Sequence, residues 1–201
     1  MSDDHFDKVY KARNEAETRA LYDDWAKTYE ASVEAEGYAT PGRCAAALHA
    51  FVTNPDAPIL DFGCGTGLSG LALRLAGFTT IDGVDLSPGM LEKAGEKYIY
   101  RKLTAIDPDQ PVPGGYAAIA AIGVIGLGAA PLSALQRIFD ALDTDEKCVF
   151  SFNDHTLEDP QFQGCVDTVL AEGRFRELFR EHGDHLPGLD MKSTVYVLEK
   201  L

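Results

Sequence analysis

The segment Pro58-Ile59-Leu60-Asp61-Phe62-Gly63-Cys64-Gly65-Thr66-Gly67-Leu68-Ser69-Gly70 constrains the fold of this chain more than any other. An apolar run ends in a carboxylate and passes straight into clustered glycines, the pattern of a buried parallel strand emptying into a tight turn before a helix. Glycines at 63, 65 and 67 permit positive φ and let backbone approach a ligand closely. The helix that follows points unpaired N–H groups at whatever sits there. The loop therefore predicts a nucleotide-like ligand at the end of a first strand.

At 201 residues, 45% of them hydrophobic, the chain is long enough for one sizeable core and is read as a single domain. It has no apolar run of about 18 residues and no basic-then-apolar leader, so neither a membrane span nor a signal peptide is expected and the protein is read as cytoplasmic. Cysteines 44, 64, 148 and 165 are scattered without a C-x-x-C pair, which argues for reduced thiols and against a zinc site or disulfide framework. The net charge of −14 repels a phosphate backbone, making DNA and RNA poor partners. Arg101-Lys102 and the stretch from Arg174 to Arg180 are short, acid-interrupted and best read as solvated faces.

The order of patterns gives the architecture. Residues 6–36 predict one or two amphipathic helices ended by Gly37, and Pro41-Gly42 opens a small-residue helix through Cys44, Leu48 and Phe51. Strands are predicted at 57–62, 79–85, 98–106, 116–122 and 147–153, with helices at 68–75, 88–97, 131–142 and 157–171 between and after them. Ser87-Pro88 is a strong helix start, a hydroxyl at the cap and proline at the first helical position. Residues 174–182 and 193–200 read as a closing antiparallel pair. Alternating strands and helices predict a Rossmann-like, doubly wound α/β fold. Its seven-stranded sheet is mostly parallel with an antiparallel C-terminal strand, and residues 1–54 form a helical lid over a core at 55–201.

Two patterns overlap in the glycine loop. Gly65-Thr66-Gly67-Leu68-Ser69-Gly70 fits the G-x-G-x-x-G of NAD-binding folds. The longer Asp61-x-Gly63-x-Gly65-x-Gly67 adds an acid at the strand end, which suits a ligand carrying a cation rather than a pyrophosphate. Asp85 ends the second strand, 22 residues beyond Gly63, where a carboxylate accepts bonds from both ribose hydroxyls. Leu86 and Met90 could flank an adenine. Asp61-Phe62-Gly63 spells a kinase triplet, but no H-R-D loop precedes it and no P-loop occurs.

Ile59 to Gly67 resembles motif I of class I S-adenosylmethionine-dependent methyltransferases, and Ile81-Asp82-Gly83-Val84-Asp85-Leu86-Ser87 resembles their motif II, in the same order and spacing. Tyr22-Asp23-Asp24-Trp25-Ala26-Lys27-Thr28-Tyr29 is similar to the YDxWAxxYD segment before motif I in many small-molecule members. With Gly37-Tyr38-Ala39-Thr40-Pro41 and Tyr98-Ile99-Tyr100-Arg101-Lys102-Leu103, the likeness is closest to the Williams–Beuren-region methyltransferase-like group. The resemblance implies S-adenosyl-L-methionine as cofactor, S-adenosyl-L-homocysteine as product and a small-molecule methyl acceptor. It implies that Gly63, Cys64, Gly65 and Gly67 pack on the methionine part, with Asp61 near its amino group. Asp85 would hold the ribose, Ile106-Asp107 would face the adenine, Ile122 and Gly123 would contact the cofactor through backbone where the acceptor pocket begins, and Tyr22, Trp25 and Tyr29 would sit on the lid as cofactor-binding residues.

A sulfonium is already electrophilic, so the protein mainly aligns the acceptor and excludes water. A base is needed only when the acceptor must lose a proton. Candidates are Asn153, Asp154 and His155 at the end of the fifth strand and Tyr29 or Tyr38 from the lid. His5, His182, His185 and His49, which lies on an alanine-rich helix, rank behind these as a base. The fourth strand lacks the family's aromatic-Asp start, having Tyr116-Ala117, and residues 122–128 are apolar or glycine. Two alternatives stand beside the methyltransferase: an NAD-dependent oxidoreductase, disfavoured by the roughly 55 residues before the first strand and the lack of a Tyr-x-x-x-Lys pair, and a non-catalytic protein binding S-adenosylmethionine or S-adenosylhomocysteine.

Overall fold

A computed structural model describes residues 29–201. The expected first strand is β1 (Ile59–Phe62), four residues buried without a break, as a strand covered on both faces requires. It is flanked in parallel by β2 (Ile81–Asp85) and β4 (Ala118–Ala121). The edge beyond β2 is β3 (Lys102–Ala105); beyond β4 come β5 (Lys147–Asn153), β7 (Met191–Lys200) and β6 (Phe175–Leu186), giving the seven-stranded order β3-β2-β1-β4-β5-β7-β6. Only the β5–β7 and β7–β6 pairings are antiparallel, β7 being the one reversed strand. The doubly wound, mostly parallel sheet is therefore as the sequence indicates.

Successive strand residues face opposite layers. On β7, Val195 and Val197 join α2 (Thr40–His49) and α3 (Leu68–Leu75) on one face. Tyr196 and Leu198 join α5 (Leu132–Ala141) and α7 (Pro160–Ala171) on the other. Tyr196 stacks on Phe150, rings 5.0 Å apart and 8° from parallel. In α2, Cys44, Ala45 and Leu48 are buried against the sheet, so this helix belongs to the core layer although the sequence reading grouped it with the lid. Before it runs α1 (Tyr29–Ala35). Among the described residues no helix is long and apolar enough to cross a membrane.

Two boundaries differ from expectation for physical reasons. The third strand is four residues rather than nine, because Tyr98 has φ of 54° and Tyr100 turns inward instead of continuing the ladder. The helix expected at 157–171 is two: α6 (Asp154–Leu157), and α7, which starts afresh where Asp159 accepts from Gln161 N and Pro160 fills the first turn. Ser87 caps α4 (Pro88–Gly95) as its sequence predicts, accepting from Met90 N at 3.1 Å.

Candidate functional site

The carboxyl ends of β2, β1 and β4 lie side by side, and a cleft runs across their tips. Its volume is about 140 Å³, where a single water needs roughly 10–15 Å³. Gly63, Gly65 and Gly67 all adopt left-handed φ, at 70°, 54° and 94°. At Gly63 a side chain would also overlap Val124, whose methyls stand 2.6 Å from where its Cβ would be; at Gly65 it would meet open space. Gly67 is the N-cap residue of α3 and supplies no side-chain acceptor, so the first-turn N–H groups remain directed at the loop.

Asp85 closes the loop from the β2 side. Its Oδ2 accepts from Gly65 N at 2.8 Å and its Oδ1 from Ser87 N at 2.9 Å. One carboxylate thus fixes both the glycine turn and the start of α4, and it lines the cleft. Leu86, buried Met90 and buried Ile106 give the neighbouring wall an apolar surface suited to a flat ring. Cys64 and Ile122 line it as well; burial raises the Cys64 thiol well above its ordinary range, so it is an inert small side chain there.

Asp61, expected beside the ligand, lies behind the loop. It is fully buried and absent from the cleft wall. Its Oδ2 accepts from Ser69 Oγ and from Tyr100 Oη, each at 2.7 Å, while Oδ1 has no hydrogen-bond partner among the described residues. Burial pushes its carboxyl up to about 6 against those two hydrogen bonds, with the nearby Asp85 charge adding to the rise. Tyr100 occupies the space left by two glycines: a side chain on Gly70 would overlap its hydroxyl, and one on Gly83 would come within 3.0 Å of its ring. The third glycine of the G-x-G-x-x-G match thus makes room for a tyrosine. The sequence reading missed this support, although both glycines stood inside the motifs it quoted.

Across β1, the opposite end of the cleft is made by Tyr38 and Gly123. Gly123 has φ of 68°, and a side chain there would overlap the Tyr38 hydroxyl. Thr66, with a buried Oγ1 that has no partner among the described residues, and Arg137 of α5 also line the cleft and were not anticipated. The other candidates lie elsewhere. Asn153 caps α6, accepting from Thr156 N at 2.8 Å; His155 pairs with Glu158 at 3.4 Å; Asp107 is exposed and accepts from Gln110 Nε2 at 3.4 Å; none of the three lines the cleft. Tyr116, lacking the expected acidic neighbour, donates to Asp82 at 2.9 Å. Tyr22 and Trp25 lie outside the described residues, and of Tyr29 only its place at the start of α1 is described.

A family model described as a methyltransferase domain matches residues 37–193, which include strands β1 to β6, the start of β7 and the whole cleft wall. The chain belongs to this methyltransferase-domain family. A curated relative, human methyltransferase-like protein 27, is 36% identical over 124 residues, covering 59% of this chain; the chain spans 51% of that relative's length. The fold is shared with magnesium protoporphyrin IX methyltransferase from Synechocystis PCC 6803 with bound SAM, at a TM-score of 0.60 and 16% identity over 98% of this chain and 90% of that one. It is shared equally with a putative RNA methyltransferase from Pyrococcus horikoshii, at a TM-score of 0.60 and 18% identity over 82% and 85% of the two chains.

The residues of this methyltransferase domain fit S-adenosylmethionine. The loop at Gly65 opens onto space rather than protein, the carboxylate at the tip of β2 is an acceptor for hydroxyls, and the adjoining wall is apolar. The buried Thr66 hydroxyl is a further polar group at the wall.

Proposed function

We propose that this protein transfers a methyl group from S-adenosyl-L-methionine to a small-molecule acceptor in the cytoplasm, and that it belongs to the Williams–Beuren-region methyltransferase-like group. The observation that carries the reading is Asp85, a wall carboxylate joined to the Gly65 backbone at 2.8 Å, which puts a hydroxyl acceptor beside an open left-handed turn. When bound, the cofactor supplies an electrophilic methyl on a sulfonium. Gly63 to Gly67 cradle its amino-acid part, Asp85 accepts from its ribose, and Leu86, Met90 and Ile106 cover its base. Two segments behind the group likeness have structural roles: Gly37 to Pro41 carry Tyr38 to the cleft, and Tyr100 supports the loop from beneath.

A small acceptor is favoured over RNA by the net charge of −14, since a polyanion gains its affinity from neutralised phosphates. Calorimetric titration with S-adenosylmethionine, S-adenosylhomocysteine and NAD tests the donor. Saturable binding of the first two is expected. Binding of NAD alone would replace this reading with an oxidoreductase, and binding of the donor without turnover on any acceptor would leave a non-catalytic cofactor-binding protein.

A further inference from the structure

The base end of the cleft carries one kind of hydrogen-bonding side chain. Beyond Asp85, away from β1, the sheet ends at β3, and the wall there is Leu86, Met90, Ile106 and Pro108, with Ala134 and Arg137 of α5. Ala134 and Arg137, three apart, share one helix face. Arg137 Nη1 donates to Gln110 O at 3.4 Å, which sets the guanidinium against the loop that follows β3. Asp107, in the same loop, is taken up by Gln110 at every polar group: its N donates to Gln110 Oε1 at 3.3 Å, its carbonyl accepts from Gln110 N at 3.0 Å and its Oδ2 accepts from Gln110 Nε2 at 3.4 Å. The buried Arg137 Nε has no acceptor among the described residues. Although the chain has 32 acids against 18 bases, no carboxylate pairs with this guanidinium among those residues.

We propose that Arg137 selects the base of the methyl donor by donating to a purine ring nitrogen, and that the 6-amino group is not read at this end. This rests on the methyl-donor reading above. A guanidinium donates hydrogen bonds and cannot accept one. Adenine offers acceptor lone pairs on its ring nitrogens and a donor at its amino group. Arg137 therefore meets a ring lone pair and is unfavourable beside the amino hydrogens. A carboxylate in its place would do the reverse, and the one that the sequence offers, Asp107, is engaged with Gln110 off the wall. Leu86, Met90 and Ile106 give an apolar cover that favours any flat ring alike, so the choice among rings falls to the polar side chain beside them. An unpaired buried donor costs free energy that an arriving acceptor recovers, and low local polarity strengthens the bond.

Calorimetric titration with S-adenosylhomocysteine, its 1-deaza, 3-deaza and 7-deaza analogues and the analogue lacking the 6-amino group tests the assignment. One deaza analogue should bind about tenfold more weakly, the worth of one hydrogen bond to a charged group. The analogue without the amino group should bind as S-adenosylhomocysteine does. Arg137→Met, which keeps an apolar stem, should bind S-adenosylhomocysteine about tenfold more weakly and no longer distinguish that deaza analogue from it. A loss in Arg137→Met that falls evenly on every analogue marks a structural role and overturns the proposal. Asp107→Asn should leave both affinity and discrimination unchanged; weaker binding of the amino-less analogue, abolished as a difference in Asp107→Asn, returns the base to Asp107 and overturns it too. The parent protein decides the matter even where Arg137→Met does not fold, because equal binding of all three deaza analogues defeats this inference alone. Failure of S-adenosylhomocysteine itself to bind defeats the reading beneath it.

Discussion

At Asp85 a single carboxylate holds both the glycine turn and the start of α4 while lining the cleft. Asp85→Ala should weaken S-adenosylmethionine binding by about 1–3 kcal/mol through lost charge-assisted hydrogen bonds, read by calorimetry; unchanged affinity would remove the ribose assignment. Gly70 is legible as a motif glycine, yet its reason, the Tyr100 hydroxyl pressed against its Cα, is not. Gly70→Ala should cost about 1–3 kcal/mol by overpacking. Tyr100→Ala, which empties that half-buried space, should itself cost about 0.5–3 kcal/mol. The double variant should be less destabilised than the sum, because the clash disappears with the ring; simple additivity in denaturant unfolding would show that the two do not meet. The same residues explain why Asp61 was misjudged from sequence. Its position before the glycines was readable, but a side chain's choice of strand face and partners depends on what packs there, and here Ser69 and Tyr100 claim it.

The elements form from local signals, and their errors have local causes. Ser87-Pro88 and Asp159-Pro160 both start helices by the same chemistry, yet only the first was read, since the second sits inside a longer apolar periodicity. The β6–β7 hairpin was legible as an antiparallel pair but not as the clamp on the α1–α2 junction. Arg43 of α2 anchors it: Nη1 donates to Asp184 O at 2.9 Å and Ser193 O at 3.1 Å, and Nη2 to Glu181 O at 2.9 Å. Arg43→Ala should destabilise the protein by about 1–3 kcal/mol and speed amide hydrogen exchange along the hairpin around Glu181 to Ser193. Exchange that stays as slow as in the parent would mean that the ladder with β7 suffices to hold it.

At the scale of the whole molecule, two buried groups oppose each other as pH changes. Burial lowers His185 to about 4 and raises Asp61 to about 6, against unfolded values of about 6.5 and 3.9. Between those limits the folded protein holds a proton on Asp61 that the unfolded chain has lost, so Asp61 makes stability fall as pH rises from about 4 to 6. Over pH of about 4 to 6.5 the unfolded chain holds a proton on His185 that the folded protein lacks, so His185 makes stability rise with pH, by a similar slope of about 1.4 kcal/mol per unit. Asp61→Asn should therefore steepen the rise of stability with pH in this window, and His185→Gln should reverse it toward a fall, both relative to the parent in urea unfolding at pH 4 to 6.5. Variants with parallel pH curves would show that neither group is shifted by burial. Sequence alone determined the sheet, the glycine loop, Asp85 and the family likeness, because strand burial, positive φ and a strand-end carboxylate are requirements written at short range. Only the tertiary structure decided that Ser69 and Tyr100 hold Asp61 behind the loop, that Asn153 and His155 stand off the cleft, and that His185 backs Tyr38. Those outcomes join residues from distant parts of the chain, and their partners are set by packing that no local spacing encodes.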